Sequence, residues 1–195
     1  MSGWGVMAHY SDNGVDEALE SLLPSFGYAC DVGANDGVFN SNTLALEEKG
    51  WLVLCVEANP LLEELGRARR KLWRSVAVGD RDVNDVVFHI CGPMANWASR
   101  SSLGLRDGGG PADQTAFVSV RRLDRILKEA GFPRLDLLTV DVENWEREVM
   151  AGFSVERWKP KVIVLEEWSD DNLAIPGYTI LKKLSYDNIY VRDAA

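Results

Sequence analysis

An α/β architecture, a mostly parallel sheet with helices on both faces, follows from three features of the 195-residue chain. Short apolar runs alternate with helix-patterned segments, the runs are apolar at nearly every position, and the helical segments carry their own start and stop residues. A strand that is apolar on both sides must be covered on both sides, and helices packed on either face of a parallel sheet do that.

The runs are 28–32, 51–57, 75–79, 135–141 and 162–166, each too short for a helix and rich in Val, Leu, Ile or Cys. Between the first two, a helix starts within 40–43, where every residue is a capping type, and stops at Lys49-Gly50, a cation followed by a C′ glycine. The next opens with Asn59-Pro60 and sets Glu63 four residues before Arg67. Late in it fall Arg67, Arg69, Arg70, Lys71 and Arg74, read as a solvated basic face that complements the helix dipole. A third helix shows Leu123, Ile126, Leu127 and Ala130 on one face and ends at Gly131, with Pro133 beyond.

Two segments break the alternation. Residues 92–114, rich in Gly, Ser, Pro and Asp, are too long for an ordinary connector and read as a loop insertion near the active site. They are flanked by runs at 86–91 and 116–121, which are expected to pair as an antiparallel ribbon. Residues 178–192 read as two more strands about a turn at 185–188, and residues 1–26 as an N-terminal cap or helix. Without internal repeats or a linker, 1–195 is expected to form one domain, large enough to bury a core without staples.

Thirty acidic against twenty-one basic side chains, net −9, disfavour nucleic acid and anionic membrane surfaces as partners. Cys30, Cys55 and Cys91 form an odd set without C-x-x-C spacing, as buried apolar residues of a reducing compartment would. The first residues lack the basic-then-apolar pattern of a secretory leader, and the longest apolar stretch, 51–56, is far short of the roughly 20 residues of a membrane span. A cytoplasmic location is the resulting expectation.

Chemistry concentrates in three places. In CDVGANDGVFNSNT, Gly33 and Gly37 allow a sharp turn and close ligand approach, and the helix start beyond offers N–H groups to an anion. Asn35 and Val38 stand where a dinucleotide fingerprint has its second and third glycines, which disfavours the alternative of a nicotinamide-dependent oxidoreductase. Glu57, twenty positions after Gly37, ends the second strand in VLCVEANP, where an acid can accept hydrogen bonds from both ribose hydroxyls of a nucleoside. The segment LLTVDVENWEREVMAGF brings Asp141 and Glu143 to the same edge, to deprotonate a hydroxyl, balance a cation or bind a metal, or in the case of Glu143 to cap the next helix.

DVGANDG at 31–37, VEANP at 56–60, AVGD at 77–80, Ser101-Ser102-Leu103, VRRLDRIL after a strand, DLLTVDVENWE at 136–146 and the preamble YSDNGVDEAL together resemble the FkbM family of S-adenosylmethionine-dependent methyltransferases. The resemblance implies the seven-stranded Rossmann-like class I methyltransferase sheet, last strand antiparallel, with S-adenosyl-L-methionine as cofactor. By it, Asp31, Gly33, Ala34, Asn35 and Gly37 line the methionine end, with Asp36 among the acids at the crevice. Glu57 takes the ribose, with Ala58 and Asn59 beside it, and Val78, Gly79 and Asp80 lie near the adenine. Asp141 and Glu143 flank the transferred methyl.

Family members generally O-methylate hydroxyls of sugars or natural products, so the expected partner is a small-molecule acceptor, a sugar or glycosylated metabolite. A non-catalytic S-adenosylmethionine-binding module is the other alternative. His9 is a candidate base if the N-terminus folds over the crevice, and Trp97, Trp145 and Trp168 offer faces on which a sugar ring can stack. Asp141, Glu143, Glu166 and Glu167 are oxygen ligands, but no His/Asp spacing calls for a metal and none is expected. The chain departs from the family pattern at Asn144, which replaces a glycine and tolerates positive φ, and at Asp12, which replaces a glutamine. With only 169–176 between the fifth and sixth strands, acceptor selection is expected to fall to 92–114 and the N-terminal segment.

Overall fold

The computed structural model describes residues 9–91, 103, 114–168 and 171–194. In chain order these form α1 (Val15–Glu20), β1 (Tyr28–Val32), α2 (Leu44–Glu48), β2 (Leu52–Glu57), a 3-10 turn (Pro60–Leu62), α3 (Glu63–Arg69), β3 (Leu72–Ser75) and β4 (Ala77–Val78). There follow β5 (Val83–Ile90), β6 (Gln114–Arg121), α4 (Leu123–Glu129), β7 (Leu137–Val140), α5 (Glu146–Ala151), α6 (Val155–Trp158), β8 (Val162–Glu166), β9 (Tyr178–Leu184) and β10 (Asp187–Arg192).

Seven strands form one sheet in the order β3-β2-β1-β7-β8-β10-β9, and β10 runs antiparallel to both of its neighbours. Strand order reverses direction between β1 and β7, so the crevice outside their carboxyl ends is where an open α/β sheet takes its ligand. The run-by-run apolarity has its cause in two cores. Cys30, Val32, Leu54, Val56, Leu138, Val140, Ile163 and Leu165 meet α4 and α5 on one face, while Ala29, Val53, Cys55, Leu137, Val162 and Val164 meet α1 and α2 on the other.

The helix punctuation appears as read. Gly50 (φ 98) follows α2, Gly131 (φ 73) follows α4, and the Asn59 side chain caps the 3-10 turn by accepting from Leu61 N–H at 3.1 Å. β5 and β6 form the antiparallel ribbon, joined through β6 to β4 in a separate three-stranded sheet. Among the described residues, no helix is long and apolar enough to cross a membrane. Cys30 and Cys55 are buried and Cys91 is half-buried, all three as free thiols.

Two expectations need correcting. The run at 75–79 is not one strand. Leu72 and Trp73 supply the apolar side chains that extend the main sheet beyond β2, and after Ser75 the chain leaves to pair Ala77 and Val78 with β6. Nor is the basic stretch all solvated. Arg70 is 3% exposed because, where α3 ends, its side chain turns inward toward buried acceptors under the β1–α2 loop. The 92–114 insertion, apart from Leu103 and Gln114, lies outside the described residues, as do Trp97 and Ser101-Ser102.

Candidate active site

A cavity of about 260 Å³ opens along the carboxyl edge of the sheet at the β1/β7 reversal. Its floor is built from strand ends: Asp31 to Asn35 after β1, Val56 to Asn59 after β2, Asp141 to Glu143 after β7, and Glu166 at the end of β8. Leu62, Val76, Val78 and Phe88 form an apolar wall on one side. Asp12, Asn13, Trp168, Tyr186 and Asp187 close the other.

The turn after β1 is built from below. Gly33 has φ 86, and a Cβ there would lie 1.7 Å from the Asp141 carbonyl oxygen, so glycine is required first by the close approach of the β7 end. Asp36 does not face the cavity. Its carboxylate accepts from Val38 N–H (2.9 Å) and Phe39 N–H (2.7 Å) and pairs with Arg69. Ser41 Oγ accepts from Leu44 N–H at 3.1 Å and from Thr43 N–H at 3.3 Å, so these two amides at the helix start are satisfied within the loop.

Buried Arg70 fixes this loop. It donates to Gly37 O (2.9 Å), Ser41 Oγ (3.1 Å), Thr43 Oγ1 (2.9 Å) and Glu47 Oε2 (3.3 Å), and lies 3.9 Å from Asp31. A Cβ on Gly37 would meet the Arg70 side chain at 2.7 Å, so Gly37 makes room for arginine and does not line the cavity. Asp31 does line it, although both of its oxygens are engaged, by Thr43 (2.5 Å) and Thr139 (2.9 Å) hydroxyls.

Glu57 is buried at the end of β2 with its carboxylate toward the cavity. Asn35 N–H donates to Oε2 (2.8 Å), Asn59 N–H to Oε1 (2.7 Å), and the Ala58 N–H also bonds this carboxylate, which keeps acceptor capacity for one more donor. Burial outweighs those amides and pushes the Glu57 carboxyl up to about 7.

Across the reversal, oxygens of Asp141, Glu143 and Glu166 lie within 4.8 Å of one another. The turn that delivers the first two places Glu143 (φ 60) and Asn144 (φ 71) in left-handed conformations, and Glu146 secures it by accepting from Val142 N–H at 3.0 Å. Desolvation and the charge of Glu166 push the Asp141 carboxyl well above the usual carboxylate range. Desolvation and the charge of Glu143 push Glu166 up to about 7, against hydrogen bonds from Asp141 and Trp168 that favour its ionised form. The two carboxyls are hydrogen-bonded to each other, which needs one proton between them. Three such oxygens can also bracket a divalent cation.

Not every expected residue is here. His9 lies beside Asp16 at 3.5 Å and does not line the cavity. Gly79 is packed under Gly152 and Val120, and Asp80 faces solvent beside Arg81, leaving only Val78 of that trio on the cavity wall. Ala34, Ala58 and Asn59 line it, as do Trp145 and Trp168. Tyr186 and Asp187 had no signal in the sequence, because they reach the crevice only through the pairing of β10 with β8. Three buried polar atoms on cavity-lining residues, Asn35 Oδ1, Trp145 Nε1 and Glu166 Oε2, have no hydrogen-bond partner among the described residues, as groups that take ligand or water do.

The family model described as "Methyltransferase FkbM domain" matches residues 31–175. The protein named 2-O-methyltransferase NoeI, from Sinorhizobium fredii (strain NBRC 101917 / NGR234), is 30% identical over 161 residues, covering 73% of this chain and 63% of that protein. The match thus spans less than two thirds of that relative's length.

Proposed function

Since the chain belongs to the FkbM methyltransferase family, we propose that it transfers a methyl group from S-adenosylmethionine to a hydroxyl oxygen of a small molecule, a sugar or natural product. The observation that carries this reading is the arrangement of acids in one crevice, with Glu57 on one side of the strand reversal and the Asp141, Glu143 and Glu166 cluster on the other. The residues fit the cofactor. Glu57 keeps acceptor capacity for a ribose hydroxyl beside its three backbone donors, Asn35 Oδ1 suits an ammonium group, and Leu62, Val78 and Phe88 suit a planar base. When bound, S-adenosylmethionine supplies an electrophilic methyl on a cationic sulfur.

The chain's own groups do the rest. A neutral hydroxyl must lose a proton as it attacks, and Glu166, half-ionised near neutrality and with no partner for Oε2 among the described residues, accepts it. Asp141 and Glu166 share one proton, and Glu166, the less exposed of the two and a cavity-lining residue, is assigned as the base. The crevice walls hold the two reactants in line, which by itself supplies several kcal/mol of the barrier. Oxygen as the methylated atom is supported by the name of the 30% identical relative, a 2-O-methyltransferase. The acidic rim supports a small molecule over nucleic acid, and the free buried thiols support a reducing, cytoplasmic setting.

The test is transfer of labelled methyl from S-adenosylmethionine into an extract of the source organism. Wild type should label a hydroxyl-bearing metabolite while Glu57→Ala and Asp141→Ala variants do not. Equal incorporation by all three would overturn the site assignment.

A further inference from the structure

We propose that Trp168, backed by the Tyr186 ring stacked against it, forms an aromatic platform whose open face binds the apolar face of a pyranose ring and presents one of its hydroxyls to the carboxyl cluster. This rests on the methyl-transfer reading and names the acceptor class for it. The two rings stack at 3.8 Å between centroids and 27° between planes, so each covers one face of the other, and Tyr186 serves as the backing that holds the Trp168 ring in place. Both line the cavity, yet Trp168 is 42% and Tyr186 44% exposed, a large accessible aromatic area at the mouth of a crevice.

The platform is held in place before any ligand arrives. Glu167 N–H donates to the Tyr186 carbonyl at 2.7 Å, tying the β9–β10 turn to the end of β8. The Glu167 side chain is itself fixed by Leu173 N–H, Asn188 and Tyr190, each at 2.6 Å. Trp168 lies two residues beyond Glu166 and is hydrogen-bonded to it, and Tyr186 precedes Asp187, the register partner of Glu166. A ring laid on these aromatics therefore has its edge at Glu166.

The surroundings select the kind of ring. Glu166, Asp187 and Asp12 are acceptors along the edge of an apolar surface. A pyranose matches that pattern with a C–H face for stacking and edge hydroxyls that donate to the carboxylates. A planar hydrocarbon ring would leave those carboxylates desolvated without donors.

The test uses protein saturated with S-adenosylhomocysteine and a panel of methyl pyranosides of hexoses, 6-deoxyhexoses and uronic acids. Galactitol serves as a ring-less control and tetramethylammonium as a cationic one, with binding read by saturation-transfer NMR and calorimetry. At least one pyranoside should bind through its ring C–H protons, galactitol should not, and Trp168→Ala and Tyr186→Ala should each weaken binding tenfold or more. Trp168→Phe should recover most of it, and S-adenosylhomocysteine affinity should stay within twofold throughout. No pyranoside bound to wild type, equal binding by both alanine variants, or tetramethylammonium bound in preference would each overturn the platform. Failure of wild type to bind S-adenosylhomocysteine would instead overturn the underlying methyl-transfer reading.

Discussion

Binding of S-adenosylhomocysteine should weaken about 30-fold between pH 8 and pH 5.5, because Glu57 must be ionised to accept from the ribose. Burial holds this carboxyl at about 7 in the free protein, so its ionised fraction falls about tenfold for each pH unit below that value. The loss at pH 5.5 is about 2 kcal/mol. Glu57→Gln should bind weakly and without that slope, since one of its two positions becomes a donor facing the backbone N–H of Asn35 or Asn59. The same group acts on stability. Its carboxyl rises from 4.5 to about 7 on folding, so the stability it contributes is complete below 4.5 and is lost as pH rises through 7, to a total of about 3 kcal/mol. Ligand should offset that loss at pH 8. Calorimetric titration of both proteins from pH 5.5 to 8.5 is the assay. A pH-independent affinity in wild type, or the same slope in Glu57→Gln, would refute the reasoning.

Arg70→Met should lower stability by about 3–5 kcal/mol, on the order of 10 °C in Tm, by leaving buried Glu47 and Asp31 without their cation; a loss under about 1 kcal/mol would show that the loop is held otherwise. Gly33→Ala should fail to fold or melt far below wild type, because its Cβ meets the Asp141 carbonyl, whereas Gly50→Ala, at φ 98 in open space, should cost only about 1–2 kcal/mol; equal losses would contradict the close approach of β1 and β7. With EDTA present and S-adenosylmethionine saturating at every pH, so that Glu57 does not contribute, wild-type turnover should rise with pH through about 7 and Glu166→Gln should be pH-independent and about 100-fold slower or worse. Retained pH dependence in that variant would move the base elsewhere, and restoration of an EDTA-inhibited wild type by Mg²⁺ would place a cation among Asp141, Glu143 and Glu166.

The sheet was legible because strands buried on both faces leave unbroken apolar runs, and capping residues mark helix ends whatever the tertiary context. Edge behaviour was not: nothing local tells 75–79 that Ala77 and Val78 pair with a ribbon strand some forty residues later. The positions of Gly33, Glu57, Asp141 and Glu143 followed from strand ends and spacing. Their surroundings did not. Asp36 and Gly37 serve the loop because Arg70 and Arg69, from another helix, reach beneath it, and a run of basic residues does not reveal which one turns inward. The proton-sharing partner of Asp141 is Glu166, on the next strand, and the Trp168–Tyr186 stack joins residues that only β8–β10 pairing brings together.

The central claim is that this crevice takes an S-adenosyl ligand, and one pair of calorimetric titrations of the wild-type protein, with S-adenosylhomocysteine and with NAD, tests it most directly. The account predicts a single site for S-adenosylhomocysteine and no heat from NAD. Binding of NAD without binding of S-adenosylhomocysteine would contradict it.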